Sequence, residues 1–506
     1  MFWTGKNKRL VWLIIVFTLF FGAFRLMQHY TFTNNALDDG FNDNLIWNTL
    51  HGNFMQSDIK GYVTLGDHLE LATLIFVPFY ALGLGPWVLF LLPPLLTALG
   101  ALPLYWLARE QLGDDHPGTR LIPAAYLGSI PIVNMTFQGY YPVALCMTPL
   151  LLAFYYLTHD RYRPFLCWLA AAMLCQENIY LVAAFFGLYI AAVKERKLFG
   201  LSLFAAGIAL FILAVAVVIP HFNGGGQYAY YDRYAYLGSS IPAIVTTLAT
   251  RPFFVLAHVL TGDKLLYLFG LLLPVAFLAC LSPLALLPAL PVVGLNLLST
   301  YRDMYQLGTR YPAAIVPFVF AAAVLGWQRL GPRADLRLIR RTVVFCLALS
   351  LLYFFLGFFL RYTWITPAVR EGHELLRLVP PDAAVCAVGN IYPHLCHRRN
   401  IWLFPKNRER ADYLVLCKLD PAWPVDGDYA PALAQLRDRK EYGKIMEYIF
   451  IGEAPTPGPM RKKDYAPLYE LIRRDRRFRV VREGKHYLLL RRTPLGYSNA
   501  LSLRYN

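Results

Sequence analysis

The stretch that decides the fold is residues 10–43, LVWLIIVFTLFFGAFRLMQHYTFTNNALDDGFND. Residues 11–24 carry no charge, and beyond them the texture turns polar and ends in Asp38, Asp39 and Asp43. A bilayer core asks for about 20 apolar residues per helix. The run therefore reads as a membrane helix over 10–29 that opens into an acidic loop. It is not a cleaved signal, because no small-residue cleavage site follows it and Arg25, Gln28 and His29 interrupt its end.

The rest of the chain repeats this texture. Only 16% of the 506 residues are charged and 57% are hydrophobic, whereas a soluble domain carries about 25% charged residues. Mean hydropathy is +0.41. The apolar residues cluster in runs such as 86–108, 199–219 and 341–360. Length and flanking charge predict about eleven membrane helices. They lie near 10–29, 86–108, 121–137, 142–158, 164–176, 178–193, 199–219, 264–280, 283–299, 311–328 and 342–361. The pair flanking Gln176-Glu177-Asn178 reads either as two spans or as a re-entrant hairpin.

The net charge of +16 does not imply nucleic acid, since no nucleic-acid fold signature is present. The basic residues gather in short loops: Lys6, Lys8 and Arg9; Arg161 and Arg163; Lys194, Arg196 and Lys197; and Arg329 to Arg341. With an odd number of helices these loops fall on one side. The positive-inside rule then makes the N-terminus cytoplasmic and the C-terminal domain extracytoplasmic, in the cell (inner) membrane. Of the eight cysteines, Cys386, Cys396 and Cys417 lie in the C-terminal part. Their spacing is no metal motif but allows one disulfide.

The expected architecture is an α-helical multi-pass membrane protein with a C-terminal extracytoplasmic α/β domain. Residues 1–365 form the transmembrane domain, with an acidic first outer loop at 30–85, and residues 366–506 form the soluble domain. In the latter, AVCAVGN (384–390) and DYLVLC (412–417) read as buried strands, PLYELIRRD (467–475) as a helix and RFRVVREGKHYLLLRR (477–492) as a hairpin.

Three outer loops could carry chemistry. The first holds Asp38, Asp39, Asp43, Asp58, Asp67 and Glu70 against Lys60 alone. Within it DDGFNDNLIWNTLHG (38–52) reads as a short amphipathic helix, capped by Asp38 or Asp39 and ended by Gly52. Carboxylates at a membrane boundary can act as general bases on a hydroxyl or ligate a divalent cation. Asp58 reads as merely solvated. Asp38, Asp39, Asp43 and the Gly66-Asp67-His68 turn read as functional, since acids beside an apolar surface are costly unless used. Glu177, in the apolar stretch LCQENIYL (174–181), is either functional or a polar turn facing water. The second loop, residues 221–263, opens with HFNGGGQYAYYDRYAYLGSS (221–240) and is rich in glycine and tyrosine, the latter explained by an interfacial aromatic belt. In the third, TYRDMYQLGTR (300–310), Arg310 could grip a phosphate bidentately, with Arg302 earlier in the loop; ordinary snorkelling is the alternative.

LDDGFNDNLIWNTLHG (37–52), GDHLELATLIFVPFYAL (66–82) and LPLYWLARE (102–110) together resemble a family of bacterial and archaeal multi-pass proteins known as predicted membrane proteins. Asp38, Gly40, Asp43, Trp47, Asn48, Gly52, Gly66, Asp67, His68, Pro78 and Tyr80 fall on its pattern. Further matches occur at YAYLGSS (234–240), at 281–299, from Tyr311 to Pro317, and at the DYLVL and HYLLLRR strands. The family is grouped with the GT-C glycosyltransferases. That grouping implies transfer of a sugar from a polyprenyl-phosphate-linked donor to a glycan, lipid or protein acceptor outside the membrane, with inversion. It implies Asp38 as the catalytic base and Asp39, Asp43, Asp67, His68 and Glu70 as acceptor- or cation-binding groups. Arg310 and Arg302 would bind the donor phosphate, and Glu177, Trp47, Asn48 and Tyr311 would support the site. No cofactor is obligatory on this reading, though a divalent cation, magnesium or manganese, is a candidate. The partners are membrane lipid, donor and acceptor, with no nucleic acid. The chain departs from the family pattern at two places. Tyr140-Tyr141-Pro142-Val143 stands where Phe-His-Pro-Glu is common, and Arg310 stands where His is common. Alternative readings are a transporter or flippase for a lipid-linked or polar solute, or a non-catalytic envelope scaffold.

Overall fold

A computed structural model describes residues 7–34, 36–226, 228–331, 336–359, 363–418 and 462–493. The chain divides into two compact units, Met1–Leu26 with Leu45–Phe359 and Met27–Asn44 with Leu360–Asn506. Met27–Asn44, read in the sequence as part of the transmembrane domain, thus groups with the C-terminal residues. The expected soluble domain includes 419–461 and 494–506, and the eleventh expected span reaches 361; these parts lie outside the described residues.

The first unit is helical. Among the described residues, four helices are long and apolar enough to cross a membrane: Lys8–Tyr30, Trp87–Leu112, Lys197–Phe222 and Leu336–Gly357. A fifth counts if the pair Ile241–Thr250 and Pro252–Val259, bent by 97°, is one span. Shorter helical pieces fill the other apolar segments, including Tyr162–Met173, Ile179–Val193, Gly262–Leu272, Leu290–Leu298 and Val316–Leu330. Proline shortens several of them by removing a backbone donor. Pro274 lies in the 3-10 turn that ends Gly262–Leu272, and Pro283 and Pro288 keep Pro283–Ala289 in 3-10 form. The bent pair lies within residues 221–263, which the sequence reading left without helices. Its break falls at Arg251, whose backbone the following Pro252 restricts.

Burial follows the logic of a bilayer. Val316–Leu330 is buried nearly throughout, from Val316 to Trp327, so it forms a core helix. Lys197–Phe222 and Leu336–Gly357 instead turn apolar side chains outward: Leu198 is 82% exposed and Phe345 61%. A contiguous surface of this kind is stable against lipid and costly against water.

Helices Ile179–Val193 and Lys197–Leu213 approach closely through glycines. A Cβ on Gly200 would meet the Gly187 carbonyl oxygen at 2.5 Å, and one on Gly207 the Ala184 nitrogen and Tyr180 oxygen at 2.6 Å. Small residues let membrane helices pack backbone to backbone.

In the acidic loop that follows the first helix, Phe41–Leu50 is helical as expected, with Leu45 and Ile46 buried and Gly52 at φ +92° after its end. A π-helical turn, Ala36–Gly40, precedes it. Strands β1 (Gln56–Ser57) and β2 (Tyr62–Val63) form a small antiparallel ribbon, followed by a 3-10 turn at Thr64–Gly66 and another at Leu71–Phe76.

The second unit contains, among the described residues, one five-stranded sheet. Its strands are β3 (Val385–Ala387), β4 (Ile401–Leu403), β5 (Tyr413–Cys417), β6 (Phe478–Glu483) and β7 (Tyr487–Arg492), in the order β4-β3-β5-β7-β6. The β3–β4 and β3–β5 pairs are parallel; the other two are antiparallel, and β6–β7 is the hairpin read from the sequence. Helix Lys462–Arg473 precedes the hairpin. All eight cysteines are free, so no disulfide forms in this unit.

The glycine contact gives a test of helix pairing. Gly207→Val should lower stability by about 1–3 kcal/mol through overpacking, read as a fall in thermal midpoint of the detergent-solubilised protein. An unchanged midpoint would contradict the close pairing.

Candidate active site

The polar centre of the first unit is built on Glu177, in the break between Tyr162–Met173 and Ile179–Val193. The break is tied to the acidic loop by the Ala72 amide, which donates to the Leu174 carbonyl at 2.8 Å. Glu177 is only 1% exposed, which overturns the water-facing alternative. Its Oε1 lies 2.7 Å from His68 Nδ1 and accepts from the Tyr228 hydroxyl at 2.8 Å. Its Oε2 accepts from the Leu69 amide at 3.1 Å. A buried carboxylate needs partners of this kind to offset its lost hydration.

A second layer orients His68. The Tyr230 ring stacks on it with centroids 4.6 Å apart and planes 7° from parallel. The Tyr230 hydroxyl donates to Asp67 Oδ1 at 2.8 Å, and Lys60 Nζ lies 3.1 Å from Asp67 Oδ2. Arg233 covers the other flank, its guanidinium 4.2 Å from the Tyr230 centroid and 4.8 Å from that of Tyr301. The tyrosines assigned to an interfacial belt therefore include two that hold carboxylates. Nothing in the loop's spacing announces this, because the carboxylates they meet are remote in sequence.

The charges are coupled. Burial would lower the pKa of His68, but the charge and hydrogen bond of Glu177, helped by Glu70 and Asp67, raise it to about 9. His68 is thus a cation at neutral pH. For Glu177, burial works upward but His68 outweighs it, and the carboxyl stays below its usual range. Glu70 has a different balance. Burial, aided by Glu177 and Asp67 and opposed by His68 and Arg310, raises it to about 7.

Arg310 stands beside this cluster, close enough to act on Glu70. Its guanidinium lies 5.0 Å from the Tyr141 ring centroid and 5.1 Å from that of Tyr311. Tyr141 and Arg310, the two positions at which the sequence reading expected a histidine by resemblance, are thus neighbours. Stacking on the two rings fixes the plane of the guanidinium.

An apolar cavity of about 890 Å³ starts at the same segments. Leu71 and Leu174 line one part of it; Ile75, Leu99, Trp106 and Leu152 line others. Leu71 follows Glu70 directly and Leu174 precedes the break that holds Glu177.

The remaining expected site residues have contacts of their own. Arg302 is in an exposed ion pair with Asp263 at 3.6 Å. Trp47 stacks on His51 with centroids 3.9 Å apart. Asn48 donates to the Gln56 carbonyl at 3.0 Å, holding the β1–β2 ribbon to its helix. Asp38, Asp39 and Asp43 belong to the second unit. Asp38 is half-buried and its carbonyl accepts from the Asn42 side chain at 2.8 Å, while Asp39 is 3% exposed. Asp43 meets Cys396 and His397, neither of which the sequence reading chose.

The His68–Glu177 pair has a pH signature. Because the histidine's folded value is raised, its stabilisation is complete below its ordinary 6.5 and is lost as pH rises through about 9. Glu70 acts in the same sense, from 4.5 to about 7. The thermal midpoint of the wild type should fall as pH is raised across the histidine window. His68→Gln should start lower at pH 6.5 and lose part of that slope. A wild-type profile in the variant would refute the pairing.

No curated protein matches this chain. Two crystal structures of ArnT from Cupriavidus metallidurans are similar to it. The apo form is 14% identical over 93% of this chain and 97% of that one, with a TM-score of 0.47. The form bound to undecaprenyl phosphate is 12% identical over 95% and 97%, with a TM-score of 0.51. At this identity the likeness is one of fold. The model of one family matches residues 28–448, most of the length, and the chain belongs to that family, described as Predicted membrane protein (DUF2079).

Proposed function

We propose that this protein is an inverting glycosyltransferase of the GT-C type, which moves a sugar from a polyprenyl-phosphate donor to an acceptor outside the membrane. The observation that carries this reading is the junction in the first unit. An arginine with its guanidinium against two tyrosine rings and a cationic histidine share this unit with an apolar cavity, whose lining residues Leu71 and Leu174 adjoin Glu70 and the Glu177 break in sequence. An amphiphile with an anionic head and an isoprenoid tail matches both halves. The fold shared with ArnT, one structure of which is bound to undecaprenyl phosphate, supports it, as does the family pattern in the first loop.

On this reading the eleven apolar segments cross the bilayer, with the N-terminus cytoplasmic and residues 366–506 outside. The donor's tail occupies the cavity. Asp38 takes the proton of the acceptor hydroxyl, whose oxygen attacks the anomeric carbon. The bond from that carbon to the phosphate oxygen breaks with inversion, and the lipid phosphate leaves. Arg310 meets the charge that grows on the leaving group, where a preorganised donor helps most. His68 adds a second positive charge, and Glu177 holds it in place. Glu70 and Asp67 orient the acceptor. Where a divalent cation takes part, the acids of the first loop are its candidates.

General-base catalysis is worth about 10²–10⁴-fold. Asp38→Asn should therefore insert and fold as the wild type does but release polyprenyl phosphate from lipid-linked sugars at least about 10²-fold more slowly. Wild-type turnover in that variant would remove Asp38 from the mechanism.

A further inference from the structure

The second unit brings together three side chains that are far apart in sequence. Asp43 lies in the first turn of helix Phe41–Leu50 and is 3% exposed. Cys396 and His397 follow the short helix Tyr392–Leu395. The Cys396 thiol donates to Asp43 Oδ2 at 3.1 Å, and His397 Nε2 lies 2.5 Å from Asp43 Oδ1. The three ligand atoms, one sulfur, one nitrogen and one oxygen, lie within 4.8 Å of one another.

The frame around them is built from other contacts. Asn44 Nδ2 donates to the Cys396 carbonyl at 3.0 Å. Arg398 Nε donates to the Leu395 carbonyl at 2.6 Å, and its NH1 to those of Pro380 and Ala383 at 3.2 and 3.1 Å. Gly40 permits the close approach: a Cβ there would meet Tyr392 Cδ1 at 2.8 Å and Pro393 Cγ at 3.2 Å. The backbone carrying Cys396 and His397 is thus held against the Asp43 helix by bonds that use none of the three ligand atoms.

A thiol is a weak hydrogen-bond donor, so it serves a buried carboxylate poorly. A cation shared by the three groups serves it better. We infer that Asp43, Cys396 and His397 form a zinc site, independent of the transferase reading. A thiolate and an imidazole suit zinc at about 2.3 and 2.0–2.1 Å with a carboxylate as third ligand. Magnesium and manganese favour oxygen ligands, so this site is chemically distinct from the one expected of the acidic loop. The His397 side chain is 35% exposed, which leaves room for water as a fourth ligand. On binding, the Cys396 thiol releases its proton to solvent, and bonds form from Sγ, Nε2 and a carboxylate oxygen to the ion, with no change of oxidation state. The ion would staple the Ala36–Asn44 segment to the segment that follows β3.

The test uses the full chain, purified in detergent, incubated with zinc and desalted, with metal measured by mass spectrometry. About one zinc per chain is expected, falling at least about tenfold in Cys396→Ser and His397→Ala. The cobalt-loaded wild type should show thiolate-to-cobalt charge-transfer absorption, and Cys396→Ser should not. A wild type that retains no zinc overturns the site, as does a Cys396→Ser protein that keeps wild-type zinc content. If the variants do not fold, cobalt-loaded wild type without the thiolate band overturns it equally.

Discussion

The first unit depends on one buried charge. Glu177 is held in a break between two short helices, and its carboxylate is satisfied from three directions: the His68 ring, the Leu69 amide and the Tyr228 hydroxyl. Those groups come from two different loops. Folding cannot bury this carboxylate unless both loops are in place, because an uncompensated charge at that position costs several kcal/mol. The pair therefore couples the loop conformations to the helical frame. The stacked Tyr230, Asp67 and Lys60 extend the same network outward.

The placement of this network matters as much as its composition. A polar cluster whose loop segments also contribute Leu71 and Leu174 to an apolar cavity suits a ligand that is itself divided into a charged head and a hydrocarbon tail. Arg310 contributes a guanidinium whose plane is set by two rings, and His68 a charge set by Glu177. Preorganised charge of this sort stabilises an anion without reorganisation at the moment of reaction. The second unit is of another kind: a mixed sheet whose buried strands β3, β5 and β7 form its core, joined by the segment Met27–Asn44.

Much of the fold was legible because it is written in local patterns. Each of the apolar segments contains helix, and the C-terminal hairpin and strands lie where alternation and turn chemistry place them. The helices at Ile241–Thr250 and Pro252–Val259 were hidden because tyrosines and glycines just before them read as loop. The site was legible in part. Asp67, His68, Glu70, Glu177 and Arg310 were chosen, and the structure brings these five together. Their pairing was not readable, since His68 and Glu177 are 109 residues apart. The same distance problem hid Tyr228 and Tyr230, and it hid Cys396 and His397, whose partner Asp43 is 354 residues from His397. Contacts at such separations leave no period in a single sequence.

The central claim is that Arg310 receives the phosphate of a polyprenyl lipid. The most direct measurement is binding of undecaprenyl phosphate to the purified protein by native mass spectrometry, in the wild type and in Arg310→Ala. The account predicts one tightly held lipid per chain in the wild type and at least about tenfold weaker binding in the variant, as expected when a charged hydrogen-bond partner of a phosphate is removed. Equal binding by both proteins, or no specific binding by either, would contradict it.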